Sequence, residues 1–223
     1  GWMLGLADSL VNQENIELSV ASVSRLVKSL TMLKGKKITY YVIPLGKGNL
    51  NYNAEYESSW IEIYKQSNPD VVHIHGTEYS HGLAFLNVCP DAKTVISIQG
   101  LTSAHYYYYY GLTKLEILKN ITIRDILRCD TLFAAKRKFK KRGETIEKPM
   151  LRKVKHIIGR TSWDKAHAWT INPKAQYHFC NEILRSEFYD GSIWEYDKCE
   201  KHTIFLSQAG YPIKGLHQVI KAM

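Results

Sequence analysis

The sequence predicts an α/β fold built on a Rossmann-like, doubly wound parallel sheet, and two observations carry that prediction. Short runs rich in β-branched residues alternate with segments of helical periodicity, the pattern of successive βαβ units. Two of those runs also finish alike: residues 70–76 (Asp-Val-Val-His-Ile-His-Gly) and 94–100 (Thr-Val-Ile-Ser-Ile-Gln-Gly) each close on a polar residue and a glycine.

Taken in order, Trp2, Met3, Leu6, Ala7, Leu10 and Val11 recur at helical spacing opposite Asp8, Ser9, Asn12 and Gln13, so an amphipathic helix is expected from the first residue. Residues 16–22 alternate as a strand does, and residues 37–45 supply a second run of β-formers. Between them, 27–33 reads as a short helix or an irregular link. Gly46-Lys47-Gly48-Asn49 is a turn by its glycines and lacks the lysine and hydroxyl spacing of a phosphate loop. Tyr56, Trp60, Ile61, Ile63 and Tyr64 predict a helix that ends before Asn68-Pro69. The strand at 70–76 follows. Alternation puts His73 and His75 on one face, and in an open parallel sheet His75-Gly76 would lie at the carboxyl edge, where ligands gather.

A helix at 81–88, closed by Cys89-Pro90-Asp91, leads to the strand at 94–100. Tyr106 to Tyr110 are five consecutive tyrosines, more than one face of a regular element can bury, so some are exposed or line a cleft. Residues 112–154 read as largely helical and basic, with breaks at Gly143 and Pro149. A strand at 156–159 precedes a helix capped by Thr161 or Ser162 and broken at Asn172-Pro173. Another strand is expected at 177–180, and a polar, aromatic link at 190–201. A last strand at 203–207, a turn at Gly210-Tyr211-Pro212 and a helix from Leu216 complete the pattern. The expected organisation is one domain over residues 1–200 and the truncated start of a second over 201–223.

Composition narrows the function classes. Hydrophobic residues make up 45% and charged residues 23% of the 223, which is globular rather than disordered. No apolar run approaches the roughly 20 residues that span a bilayer. Cys89, Cys129, Cys180 and Cys199 lie tens of residues apart without metal-ligand spacing, as expected of reduced thiols in a cytoplasmic protein. The net charge of +9 is concentrated from Lys136 to Arg142 (Lys-Arg-Lys-Phe-Lys-Lys-Arg), continued by Arg152, Lys153 and Lys155. Such a block suits an anionic membrane surface, an acidic substrate, nucleic acid or simply a solvated helix face. Nucleic acid ranks last, because only Phe139 interrupts the block and no nucleic-acid motif accompanies it.

Four segments together resemble the GT-B glycosyltransferases, specifically the retaining family 4. Gly1-Trp2 before an amphipathic helix is similar to the end of that family's glycine-rich loop. Residues 70–76 resemble its Asp-Val-Val-His-x-His segment, whose second histidine corresponds to His75. Residues 157–163 with 177–182 look like the last strand, helix and exit of its acceptor-side domain. Residues 205–222, with Lys214-Gly215, resemble the opening unit of its donor-side domain.

The resemblance implies the acceptor-binding half of an enzyme that transfers a sugar from a nucleotide-sugar donor to a sugar or lipid-linked acceptor, in polysaccharide or glycolipid synthesis. It makes His75 the catalytic residue and assigns Gly1, Trp2, Arg160 and Lys214 to the donor. It gives Gln99, Gly100, Tyr106 and Tyr107 to the acceptor. It implies no metal and no cofactor, since no Asp-x-Asp pair is present. The chain departs from the family at Gln208-Ala209, where Gly-Arg is usual, and at Gln99-Gly100, where His-Gly is usual. Such a fragment would be inactive alone, truncated at both ends, and peripheral at the inner face of a membrane through Lys136 to Arg142. The rival reading is a non-catalytic sugar- or nucleotide-binding Rossmann-like module.

Overall fold

The computed structural model describes residues 2–45, 52–207, 210 and 212–223, with Trp2 described by its backbone alone. Helix α1 (Trp2–Leu10) leads into β1 (Leu18–Ser24), β2 (Thr31–Lys34) and β3 (Ile38–Pro44). Then come α2 (Glu55–Ser67), β4 (Val72–His75), α3 (Ser80–Val88), β5 (Thr94–Ser97) and α4 (Thr102–Tyr108). Helices α5 (Lys114–Lys119), α6 (Ile123–Leu127), α7 (Leu132–Arg142) and α8 (Lys148–Lys153) precede β6 (His156–Gly159). The chain continues through α9 (Ser162–Ile171), β7 (Gln176–Phe179), α10 (Glu187–Asp190) and α11 (Leu216–Ala222).

The strands form two sheets. Strands β4, β5, β6 and β7 pair in that order, all parallel, with His75 opposite Ser97 and Gly159 opposite Phe179. This is an α/β arrangement of the kind the alternating pattern predicts. The first sheet has the order β1-β3-β2, with β1 and β3 parallel and β2 and β3 antiparallel. The expected helix or link at 27–33 is therefore replaced, from Thr31, by a strand. Only Gly35, Lys36 and Lys37 separate β2 from β3, too few for a parallel crossover, so the pair closes as a hairpin with Gly35 N–H bonded to the Ile38 carbonyl at 2.9 Å. The turn expected at Gly46-Lys47-Gly48-Asn49 lies outside the described residues.

Helix α3 is the shared wall between two apolar clusters. Its Ala84 packs with Tyr41, Ile43, Tyr56 and Ile63, while Leu83, Phe85 and Leu86 join Ile96, Ile146, Leu151 and Ile157. Gly82 lets it approach α8 closely: a Cβ there would stand 2.7 Å from the Met150 methyl group. Trp60 of α2 touches both clusters and meets Phe85 edge-on at 5.5 Å.

The breaks expected at Gly143 and Pro149 do not interrupt the helix. Helix α7 runs straight into a π-helical turn, Gly143–Glu147, and on into α8. One extra residue per turn is enough to accommodate Pro149, which has no N–H to give to an α-helical ladder. Gly143 is needed for proximity rather than for a bend, since a Cβ would come within 2.7 Å of Ser103 Cα. The π turn delivers Glu147 into the interior, fully buried. Its carboxylate accepts from Thr102 N–H (2.7 Å), Ser103 N–H (2.9 Å), Thr102 Oγ1 (3.0 Å), Thr77 Oγ1 (3.1 Å) and Ser103 Oγ.

The strand expected at 203–207 does not form; the segment is irregular, and Phe205 is largely exposed. A strand needs a partner edge, and no described strand pairs with it. Its neighbour α11 does form, and it is held to the first 200 residues by Lys221–Glu116 (2.8 Å) and by His217 on the Gly111 carbonyl (2.9 Å).

Glu147→Ala leaves five donors facing an empty space and is expected to cost on the order of 3 kcal/mol of unfolding free energy. Urea denaturation checks this; a change within experimental error would mean the carboxylate is not a structural centre.

Candidate functional site

The parallel sheet ends in a cleft that opens to solvent. Its floor is the carboxyl edge of three adjacent strands: His73 and His75 from β4, Ser97 to Gln99 at the end of β5, and Ile158 to Arg160 at the end of β6. Leu6 of α1 and the exit of β7, residues 180–183, close it. That exit segment lies directly on α1, where a Cβ at Gly5 would be 2.9 Å from the Leu184 carbonyl oxygen.

Alternation along β4 puts both histidines on the cleft side, as the spacing predicts, with ring centroids 3.9 Å apart. His73 Nε2 lies 2.5 Å from Ser97 Oγ. Burial, reinforced by the neighbouring His75, lowers the His73 imidazole to about 4, and burial also lowers His75. Both rings are therefore neutral at pH 7, each with one donor and one acceptor nitrogen.

Arg160 carries the positive charge of the cleft. Its Nη1 pairs with Glu182 Oε1 at 2.7 Å, and its Nη2 donates to the Gln99 carbonyl at 3.3 Å. The strand end beneath it is fixed by Asp164, which accepts from Arg160 N–H (3.0 Å), Thr161 N–H (2.9 Å), Thr161 Oγ1 (2.8 Å) and Tyr177 OH (2.8 Å). Burial alone would raise the Asp164 carboxyl; the Arg160 N–H, the Thr161 hydroxyl and the Tyr177 hydroxyl outweigh it and lower it. Thr161 is thus the cap of α9, through a capping box with Asp164.

Of the residues singled out from sequence, His75, Gln99 and Arg160 come together in the cleft. Gly100 does not line it; it lies beside the Glu78 carboxyl and the His105 ring. Tyr106 and Tyr107 do not line it: they sit on α4 with rings 4.1 Å apart, Tyr107 exposed and Lys140 lying over Tyr106. Lys214 is exposed on the 3₁₀ turn Pro212–Lys214 and does not line the cleft either. Gly1 and the Trp2 side chain lie outside the described residues. Among the described residues there is no group of three or more His, Cys, Asp or Glu placed to hold a metal ion.

Sequence reasoning missed Glu78. Gly76 turns the chain after β4 at φ +83°, a left-handed conformation that favours glycine, and brings the Glu78 carboxylate against its Cα. Burial pushes the Glu78 carboxyl up, against the pull of the Glu78 and Thr77 backbone N–H groups. The only sequence signal was position, two residues beyond a strand-ending glycine.

No protein-family model matches the chain, and no curated protein matches it in sequence.

The depressed histidines make a signed prediction. Unfolded imidazoles take up protons near pH 6.5, whereas folded His73 and His81 resist until about pH 4. The unfolded state therefore binds more protons in that window, and stability should be level above pH 6.5 and decline steadily toward pH 4. Urea midpoints across this range should fall for the native sequence and fall less for His73→Gln; equal slopes would contradict the burial of His73 as a neutral ring.

Proposed function

We propose that the chain is the acceptor-side half of a retaining, nucleotide-sugar-dependent glycosyltransferase, its parallel strands belonging to the doubly wound sheet of a GT-B architecture. The observation that carries this reading is the convergence of His75, Gln99 and Arg160 at the carboxyl edge of one parallel sheet. That edge is where open α/β sheets bind their ligands.

The chemistry asked of these side chains is modest. In sugar transfer the bond from the anomeric carbon to the nucleoside diphosphate breaks, a bond to an acceptor hydroxyl oxygen forms, and the hydroxyl proton leaves toward the diphosphate. A neutral His75 orients the donor sugar through hydrogen bonds to its hydroxyls without adding charge. Gln99, which cannot titrate, holds an acceptor hydroxyl by the same means. Arg160, fixed by Glu182 and the Gln99 carbonyl, supplies a placed cation toward the negative charge that develops on the departing diphosphate. None of these roles uses a metal or a cofactor. The acceptor is a sugar or a lipid-linked sugar, met on the cytoplasmic side of a membrane whose anionic surface attracts the block from Lys136 to Arg142.

In the protein at its native length, His75→Ala should lower transfer from a panel of nucleotide sugars by roughly a hundredfold while leaving the thermal midpoint nearly unchanged. Loss of stability in step with activity would reduce His75 to a packing role. Saturable sugar binding with no transfer at any length would favour the non-catalytic binding module.

A further inference from the structure

Helix α6 presents its apolar side to solvent. Ile123, Ile126 and Leu127 fall at i, i+3 and i+4, the spacing of a helix face that normally packs inward, yet they are 77%, 62% and 79% exposed. None of the residues of α6 is buried. Leu115 and Leu118 of the preceding α5 are likewise exposed, although Ile117 between them is buried and anchors that helix to the body. Both helices are well defined at their starts: Thr113 with Glu116, and Thr122 with Asp125, form complete capping boxes. The outward leucines and isoleucines therefore belong to ordered turns rather than to a frayed loop.

The charge around this face has one sign. Residues 112–142 hold ten Lys and Arg against three acids, Glu116, Asp125 and Asp130. Two of those acids are already spent internally, Glu116 on Thr113 and Lys221, and Asp125 on Thr122. On α7, part of the basic block is also engaged, since Lys136 lies 4.4 Å from the Tyr110 ring centroid and Lys140 lies 5.9 Å from that of Tyr106. Arg137, Lys138 and Lys141 remain exposed. An attraction resting on α7 alone would be weaker than its composition suggests. Aliphatic side chains flanked by Lys114, Lys119, Arg124 and Arg128 add the second half of a two-part anchor.

We propose that α5 and α6 form a membrane-docking surface, inserting Leu115, Leu118, Ile123, Ile126 and Leu127 into the headgroup region of an anionic phospholipid bilayer while cations from 114 to 141 contact the lipid phosphates. Charge complementarity selects this occupant, because a surface both aliphatic and strongly cationic matches an anionic lipid interface. Nucleic acid would use stacking rings, which this face does not offer. No helix among the described residues is long and apolar enough to cross a membrane, so the attachment is of the peripheral kind. The inference rests on the membrane part of the function proposed above and replaces charge alone with charge plus insertion.

Flotation with vesicles tests it without reference to catalysis. The chain should float with vesicles of phosphatidylcholine containing about a third phosphatidylglycerol, and remain at the bottom with phosphatidylcholine alone. Ile123→Asp/Leu127→Asp should reduce the bound fraction at least tenfold at unchanged salt. Lys138→Glu/Lys141→Glu should reduce it roughly tenfold, an effect lost as salt rises. All four side chains are exposed, so circular dichroism and thermal midpoints should match the native chain. Equal binding to neutral and anionic vesicles, or full binding by the α6 variant, overturns the proposal. So does a concentration-dependent dimer in sedimentation velocity that the α6 variant abolishes, or retention on DNA in place of vesicles. A chain that floats but belongs to a protein without sugar transfer keeps the surface and loses the enzyme; transfer without flotation does the reverse.

Discussion

The placement of the carboxyl edge of the parallel sheet depends on one buried carboxylate. Glu147 comes from the π turn between α7 and α8, yet its partners are Thr77, just beyond β4, and Thr102 and Ser103, which open α4 beyond β5. A single side chain from one element thus ties together the two loops that follow adjacent strands. It also completes the start of α4, whose own preceding residue is Leu101 and offers no side-chain cap. A carboxylate fully out of water is tolerable only when its lone pairs are filled, and five donors fill them. The same geometry explains why Gly143, one turn earlier, has no room for a side chain against Ser103.

Asp164 plays the matching part on the other side of the cleft. It gathers the backbone of Arg160 and Thr161 and the hydroxyl of Tyr177, so that β6, α9 and β7 meet at one point. With both loops and the β6 terminus fixed, Arg160 is left to reach inward, where Glu182 and the Gln99 carbonyl hold its guanidinium. The cleft residues are therefore held by groups outside the cleft, which is what a site needing placed charges and placed hydrogen bonds requires. Desolvation of His73 and His75 follows from the same closure, since Leu6 and residues 180–183 lie over the strand ends.

Much of this was legible in the sequence, for identifiable reasons. The four strands of the parallel sheet carry their own signals, β-branched runs in β4, β5 and β6 and an aromatic stretch in β7, and each lies within two or three residues of its expected place. The shared face of His73 and His75 follows from alternation alone, and a cap at Thr161 or Ser162 follows from their hydroxyls, with Thr161 the one that forms it. The rest depended on partners. Residues 31–34 became a strand because β3 lay within reach of a three-residue turn, while 203–207, with a similar composition, had no edge to join. Gly143 and Pro149 look like breaks in a linear reading; a π turn that answers a packing demand from Ser103 is invisible there. Glu147 looks like a surface acid in a basic region and Glu78 carries no linear signal beyond its place after Gly76; only tertiary contacts reveal Glu147 as fully buried and Glu78 as partly buried. Tyr106 and Tyr107 suggested a cleft by chemistry, but α4 directs Tyr107 outward.

On the proposed reading, two tasks thus fall on two surfaces. The cleft over β4, β5 and β6 gathers neutral rings, an amide and an arginine paired with Glu182, groups that the proposed reading assigns to hydroxyls and to a departing diphosphate. The helices between residues 112 and 142 gather charge and exposed aliphatics, suited to an interface. The measurement that tests the account most directly is a histidine side-chain correlation spectrum of the native-length protein, titrated with a panel of nucleoside diphosphate sugars. The account predicts that one donor class shifts the resonances of His73 and His75 in a saturable way while that of His156, at the opposite end of β6, stays still. Saturable binding that leaves the His73 and His75 resonances unmoved would contradict it.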